Sequence, residues 1–179
     1  MQRILTATAA IALMTGAAFA QDEEATPVEI TEAVATFVDM EGAENGTASL
    51  TGTPNGVLIQ IEVSGLPAGE WLAFHVHETG ECDAATHHDS AGGHFNPGDV
   101  PHGYMAEGGP HAGDMPNQYV GEDGVLRAQV FNSMVTLGDG GEADIAGRAL
   151  MIHGGADDYM TQPTGDAGDR HACGVIEEE

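Results

Sequence analysis

Asn55-Gly56-Val57-Leu58-Ile59-Gln60-Ile61-Glu62-Val63 reads as a turn followed by a strand. Val57, Ile59, Ile61 and Val63 share one face while Gln60 and Glu62 share the other, the period of two that buries one side and wets its opposite. An Asn-Gly pair before such a run is a strong hairpin signal, because both residues accept the left-handed backbone of a tight turn. The same pattern extends outward. Toward the N-terminus, residues 34–38 and 47–51 form two more runs, with Asn45-Gly46 offering a turn between them. Toward the C-terminus come residues 71–77, 124–131, 148–153 and 172–176. No long helical period lies between them, and 26 glycines with 8 prolines favour frequent turns. At 179 residues the chain has room for one well-cored domain. The expected fold is all-β, a sandwich or barrel.

Charge excludes several functions. Four arginines and no lysine face 29 aspartates and glutamates, for a net charge of −25. A nucleic-acid reader needs a basic surface to neutralise phosphates, and docking on anionic lipid needs the same sign. The 41% hydrophobic content is that of a globular chain rather than a disordered one. Residues 1–20 read as a signal peptide: Arg3 supplies the positive start, residues 4–14 are apolar, and Ala18-Phe19-Ala20 suits cleavage before Gln21. The apolar run is short for a membrane span, so no anchor is expected after cleavage. The chain from Gln21 loses only Arg3 among charged residues and carries −26. Residues 21–32 form an acidic N-terminal segment, and residues 33–179 the domain. Cys82 and Cys173, in an oxidising compartment, read as one disulfide. Closing so long a loop contributes roughly 4–5 kcal/mol in the chain-entropy model. Two free thiols, one a metal ligand, are the alternative.

All nine histidines follow residue 74: His75, His77, His87, His88, His94, His102, His111, His153 and His171. Most fall in residues 79–117, which with residues 154–170 form two long Gly-, Pro- and Asp-rich segments. Loops of that length in a compact domain need something to order them, and imidazole binds zinc and copper well. His75 and His77 sit one residue apart on an expected strand, which puts both rings on one face about 6.6 Å apart at Cα. Phe74 and Val76 then point into the core. Downstream, His94, His102, His111 and Asp114 offer three imidazoles and a carboxylate, the donor set of a closed, structural zinc site. Metal binding there would supply the free energy that packing does not. A solvated His/Asp-rich loop is the alternative.

Phe74-His75-Val76-His77-Glu78, Gly93-His94-Phe95-Asn96-Pro97, His111-Ala112-Gly113-Asp114 and Gly168-Asp169-Arg170-His171-Ala172-Cys173-Gly174-Val175-Ile176 resemble the copper/zinc superoxide dismutases in their bacterial exported form. The resemblance runs over roughly residues 33–176. It implies an eight-stranded Greek-key β-sandwich or flattened barrel with two long functional loops. It implies an enzyme that converts superoxide to dioxygen and hydrogen peroxide by redox cycling of copper. Copper would be held by His75, His77, His94 and His153, and zinc by His94, His102, His111 and Asp114, with His94 bridging the two. Asp157 would accept hydrogen bonds from one ligand of each metal. Cys82–Cys173 would tie the long loop to the last strand. Arg170 would bind the superoxide anion, with a planar, always-charged fork that lysine lacks, and Thr164 would narrow the channel. The periplasm is the expected compartment, and a second copy of the chain is a candidate partner.

The rival is an exported copper-binding or copper-delivery protein on the same scaffold, because ligands do not prove turnover. Arg170 favours the enzyme, since storage needs no anion-docking group. The chain also departs from many relatives. Glu70-Trp71-Leu72-Ala73 replaces a Gly-x-His-Gly segment, putting Leu72 where a histidine behind the ligands is expected, and Met160 stands near a common lysine position. His87 and His88 read as exposed loop residues, His171 has no assigned role, and Glu177-Glu178-Glu179 reads as a solvated tail.

Overall fold

A computed structural model describes residues 30–179. The leader expected over residues 1–20 and most of the acidic segment at 21–32 lie outside the described residues. Among the described residues, no helix is long and apolar enough to cross a membrane.

The strands are β1 (Glu32–Asp39), β2 (Glu44–Thr53), β3 (Gly56–Val63), β4 (Trp71–Leu72), β5 (Phe74–His77), β6 (Gln118–Tyr119), β7 (Leu126–Asn132), β8 (Ala149–His153) and β9 (Arg170–Glu178). Seven of them form one antiparallel sheet in the order β5-β8-β9-β1-β2-β3-β7, and β4 pairs with β6 in a separate ribbon. The passages from β3 to β5 and from β7 to β8 each cross from one side of the sheet to the other, the interleaving of a Greek key. The strand count differs from eight because the run at 71–77 breaks at Ala73. Its carbonyl still accepts from His153 at the end of β8, but its N–H turns away to the Gly155 carbonyl in the second long loop, which interrupts the strand.

Period two builds the core. Leu50, Ile59 and Val130 lie opposite one another on β2, β3 and β7, as do Ala48, Ile61 and Ala128 one step along. Phe37, Leu72, Phe74, Val76, Leu150, Ile152 and Ile176 join the same buried cluster. Each large side chain in it contributes roughly 1.5–3 kcal/mol of burial. Leu72 is thus a core residue, fully buried in β4.

Two turns differ from the sequence reading. Asn45-Gly46 is not a turn but part of β2, and the chain reverses at residues 40–43. Gly46 is needed there for closeness: a Cβ would lie 2.4 Å from the Glu62 carbonyl oxygen and 2.6 Å from Val63 Cα. Asn45 uses its amide to hold the Ser64 carbonyl at 3.0 Å. The second hairpin is shifted by one residue from Asn55-Gly56: Pro54-Asn55 form its tip and Gly56 already opens β3, at φ +140°. The acidic tail is likewise only half as expected. Glu177 and Glu178 are exposed, yet their backbones pair with Val34 and Ala33 of β1.

The last strands are covered on both faces. All five residues of β8 are buried: Leu150 and Ile152 face the main core, while Ala149 and Met151 pack with Ala91 and Cys173 on the other side. The Cys82–Cys173 bond, with Cα atoms 5.6 Å apart, fastens residues 79–93 over that second face.

Candidate metal centre

Strand β5 places the first candidate ligands. His75 lies across from Met151 and His77 from Ala149, so both rings project to the face away from the main core, while Phe74 and Val76 enter it. His153, two residues past Met151, joins them there. The other side of β5 is not bare. Phe95 N–H donates to the Val76 carbonyl, Val76 N–H to Gly113 and Glu78 N–H to Gly93, at 2.8–2.9 Å. This main-chain lacing sets His94 beside His77 and Asp114 beside His75. Gly113 permits it, since a Cβ there would be 2.4 Å from the Val76 oxygen.

Two groups of potential ligands result: His75, His77, His94 and His153, and His94, His102, His111 and Asp114. In each group every residue offers one donor atom, all within 4.8 Å of one another, and every member is buried. His94 belongs to both. Its Nδ1 lies 2.9 Å from Asp114 Oδ1, and its buried Nε2 has no hydrogen-bond partner. His75 Nδ1, His102 Nδ1 and His111 Nδ1 are equally buried and unpartnered. His102 Nδ1 is only 3.0 Å from Asp114 Oδ2, but without hydrogen-bond geometry. Buried lone pairs gathered this way are expensive unless a cation sits among them. Four imidazoles suit copper, and three with a carboxylate suit a closed zinc site.

Asp157 orders the rings from behind. Its carboxylate accepts from His75 Nε2 through Oδ2 and from His102 Nε2 through Oδ1, both at 3.0 Å. A carboxylate only accepts, so both histidines carry the Nε2 proton and present Nδ1 inward. Asn117 grips the Asp157 backbone on both sides, and Gly165 leaves room, since a Cβ there would fall 1.8 Å from Asp157 Oδ1. Gln162 brackets the His102 backbone, accepting its N–H at 2.8 Å and donating to its carbonyl at 2.9 Å. Sequence reading missed Asn117 and Gln162, which carry no motif of their own.

Three of the histidines are held in the neutral state, the one that binds metal. Burial, reinforced by neighbouring histidines, pushes His75, His77 and His153 well below the usual imidazole range, His153 to about 3. Burial pulls the Asp114 carboxyl upward, but hydrogen bonds from His94 and the Gly103 amide prevail and hold it at about 2.

Arg170 is half-buried. Its guanidinium donates from Nη1 to the His88 carbonyl at 2.7 Å and from Nη2 to the Gly92 carbonyl at 2.8 Å. A β-bulge aims it: Ile152 pairs with Ala172 but His153 pairs with Arg170, so His171 is the extra residue. The His171 ring packs on Gly154, where a Cβ would meet its Nε2 at 2.7 Å. Thr164 is half-buried in the second loop, and Met160 is exposed there. His87 is exposed as expected, but His88 is not. It is fully buried, its Nε2 donating to the Asp39 carbonyl at 3.1 Å.

Fold and site together define an antiparallel β-protein with two buried groups of potential metal ligands that share one histidine. A family profile described as "Copper/zinc superoxide dismutase (SODC)" matches residues 44–176. Superoxide dismutase [Cu-Zn] 1 of Aquifex aeolicus is 48% identical over 145 residues, 79% of this chain and 85% of that protein. Among solved structures, a double mutant of a SOD-like protein from Bacillus subtilis superposes with a TM-score of 0.77 at 37% identity, covering 80% of this chain and 96% of that one. The Cu/Zn superoxide dismutase from Brucella abortus does so with a TM-score of 0.68 at 30% identity, over 82% and 99%. The chain belongs to the copper/zinc superoxide dismutase family.

Proposed function

We propose that this chain dismutates superoxide to dioxygen and hydrogen peroxide, with copper held by His75, His77, His94 and His153 and zinc by His94, His102, His111 and Asp114. The observation that carries the reading is His94, one ring common to both ligand groups, with Nδ1 on the Asp114 side and Nε2 free for the other. Bound copper would supply one-electron exchange between two oxidation states, and zinc a fixed charge without redox chemistry. The protein supplies the rest. His94 Nε2 is the atom suited to take up and release a proton, because Nδ1 is committed to the Asp114 side. Asp157 keeps His75 and His102 in the ligating tautomer. Arg170 docks the anion: carbonyls hold two of its donors, which leaves others of the planar fork for substrate. Thr164 narrows the approach.

The disulfide and the leader-like N-terminus support an exported, periplasmic protein. A second copy of the chain is the partner to look for. Metal analysis paired with a dismutase assay and sedimentation on the exported protein tests these readings together. Copper and zinc near one each, with rapid superoxide-dependent turnover, is the expected result. Full loading without turnover would instead identify a copper-delivery protein.

A further inference from the structure

Arg170 is gripped by the two ends of a single short turn. The 3-10 segment Asp89–Ala91 is flanked by His88 and Gly92, and their carbonyls are its two acceptors. The two ends are fastened differently. At the Gly92 end, Gly93 N–H donates to Glu78 Oε1, Glu78 N–H to the Gly93 carbonyl, and Thr79 N–H to the Ala91 carbonyl. These bonds continue the lacing along β5. The His88 end has no strand beside it. Its backbone N–H reaches only Asp83, within the same loop. The Cys82–Cys173 bond anchors the loop next to Asp83, and the direct tie of the His88 end to the sheet is the His88 side chain, buried and bonded through Nε2 to the carbonyl of Asp39, the last residue of β1. Asp39 is itself fixed, since it pairs with Ala172 of β9 and its carboxylate accepts the Glu41 and Ala43 amides of the following turn. His88 holds a left-handed backbone, φ 61° and ψ 17°, unusual for a residue with a side chain.

We infer that His88 is a positioning residue for Arg170: its ring hangs one end of the Asp89–Ala91 turn from β1 and so presents the His88 carbonyl to the guanidinium. This rests on reading Arg170 as the anion-docking group. The ring reaches across 49 positions of sequence to a backbone acceptor, which needs length, flatness and one N–H. Burial lowers the His88 pKa, so the ring stays neutral with that single proton. Phenylalanine would fill the space without the donor, whereas glutamine would keep a donor at similar reach.

The test uses His88→Phe, His88→Ala and His88→Gln in the full mature protein. In zinc-loaded, copper-free samples, nitrogen NMR reports how fast the Arg170 guanidinium rotates, with Arg148 as internal control. In copper- and zinc-loaded samples, azide titration followed in the visible spectrum reports anion affinity. The Phe and Ala variants should lose the slow Arg170 signals and bind azide roughly tenfold more weakly, within the range that small misplacement of a positioning group costs. Metal content should be unchanged, and Gln should restore both readouts. Wild-type Arg170 signals and azide affinity in the Phe or Ala variant would overturn the inference. In the wild-type protein itself, the His88 Nε2 proton should exchange slowly; fast exchange would overturn it without any variant. Arg170→Leu separates the two readings. Unchanged azide affinity in that protein would refute anion docking, while the guanidinium signals would still judge His88.

Discussion

Arg170 and His77 meet at one atom: the Gly92 carbonyl oxygen lies 2.8 Å from Arg170 Nη2 and 3.0 Å from His77 Nδ1. The group proposed to receive the anion and a proposed copper ligand therefore take their positions from the same peptide. That bond also leaves His77 Nε2 for metal, 3.3 Å from His153 Nε2.

His153 belongs to one ligand group only, so His153→Ala should cost copper and dismutation while sparing zinc. Copper affinity should fall by at least about a hundredfold, the upper end of what losing a group behind a ligand costs. Asp114→Ala should do the reverse, loosening zinc and lowering thermal stability first. Equal loss of both metals in the His153 variant, measured by elemental analysis, would refute this division.

Arg170→Lys keeps the charge but cannot span the His88 and Gly92 carbonyls as a planar fork. Its kcat/KM should fall by roughly threefold to tenfold, and that of Arg170→Glu by about a hundredfold or more, because like-charge repulsion opposes the anion. Metal content should stay constant across the three proteins. Equal rates would exclude docking at this residue.

Stability of the metal-stripped protein should decline as pH drops below 6.5. His75, His77 and His153 have folded pKa values below that of the unfolded chain, His153 at about 3. Between those limits the unfolded state binds more protons, so acid favours unfolding. Each such histidine contributes a slope of about 1.4 kcal/mol per pH unit. Asp114, with a folded pKa of about 2, adds its own loss only below its unfolded value of 3.8. Urea midpoints at pH 7.5, 6 and 5 measure the effect; a flat profile would mean the rings are accessible to solvent protons.

Salt should not slow the enzyme. The chain carries −25, and its other described arginines build no funnel: Arg127 pairs with Asp123 at 2.8 Å, and Arg148 stacks 4.5 Å from the Phe95 ring centre. Distant acids repel superoxide most at low ionic strength, since screening reaches about 10 Å at 0.1 M. Rising salt relieves that repulsion before it weakens attraction at Arg170, so kcat/KM should hold or rise to moderate NaCl. A steep, monotonic fall at constant metal loading would show a positive rim steering substrate.

What the sequence made legible follows its local rules. Period two sent His75 and His77 one way and Phe74 and Val76 the other, as β5 does. The spacing of His94, His102, His111 and Asp114 suggested one group, and the fold does bring their donor atoms together. Where long-range contacts decide, the local signal fails. Asn45-Gly46 carries a turn signature, but the approach of Val63 requires a glycine inside β2. His88 looks like any loop histidine until Asp39, 49 residues earlier, supplies its acceptor. The bulge at His171 depends on the pairing of β8 with β9, which no composition announces.

The lacing along β5 has a second consequence, for the protein without its metals. β5 ends the seven-stranded sheet, and its outer backbone is satisfied only by loop residues such as Phe95 and Gly113, next to the proposed ligands His94 and Asp114. If those ligands are released, the loop loses the ions that order it and the Phe-His-Val-His edge comes free. A bare edge with unpaired amides is a template for a strand from another molecule. The metals would then guard solubility as well as activity, and incomplete loading would expose the protein to aggregation from this side of the sheet.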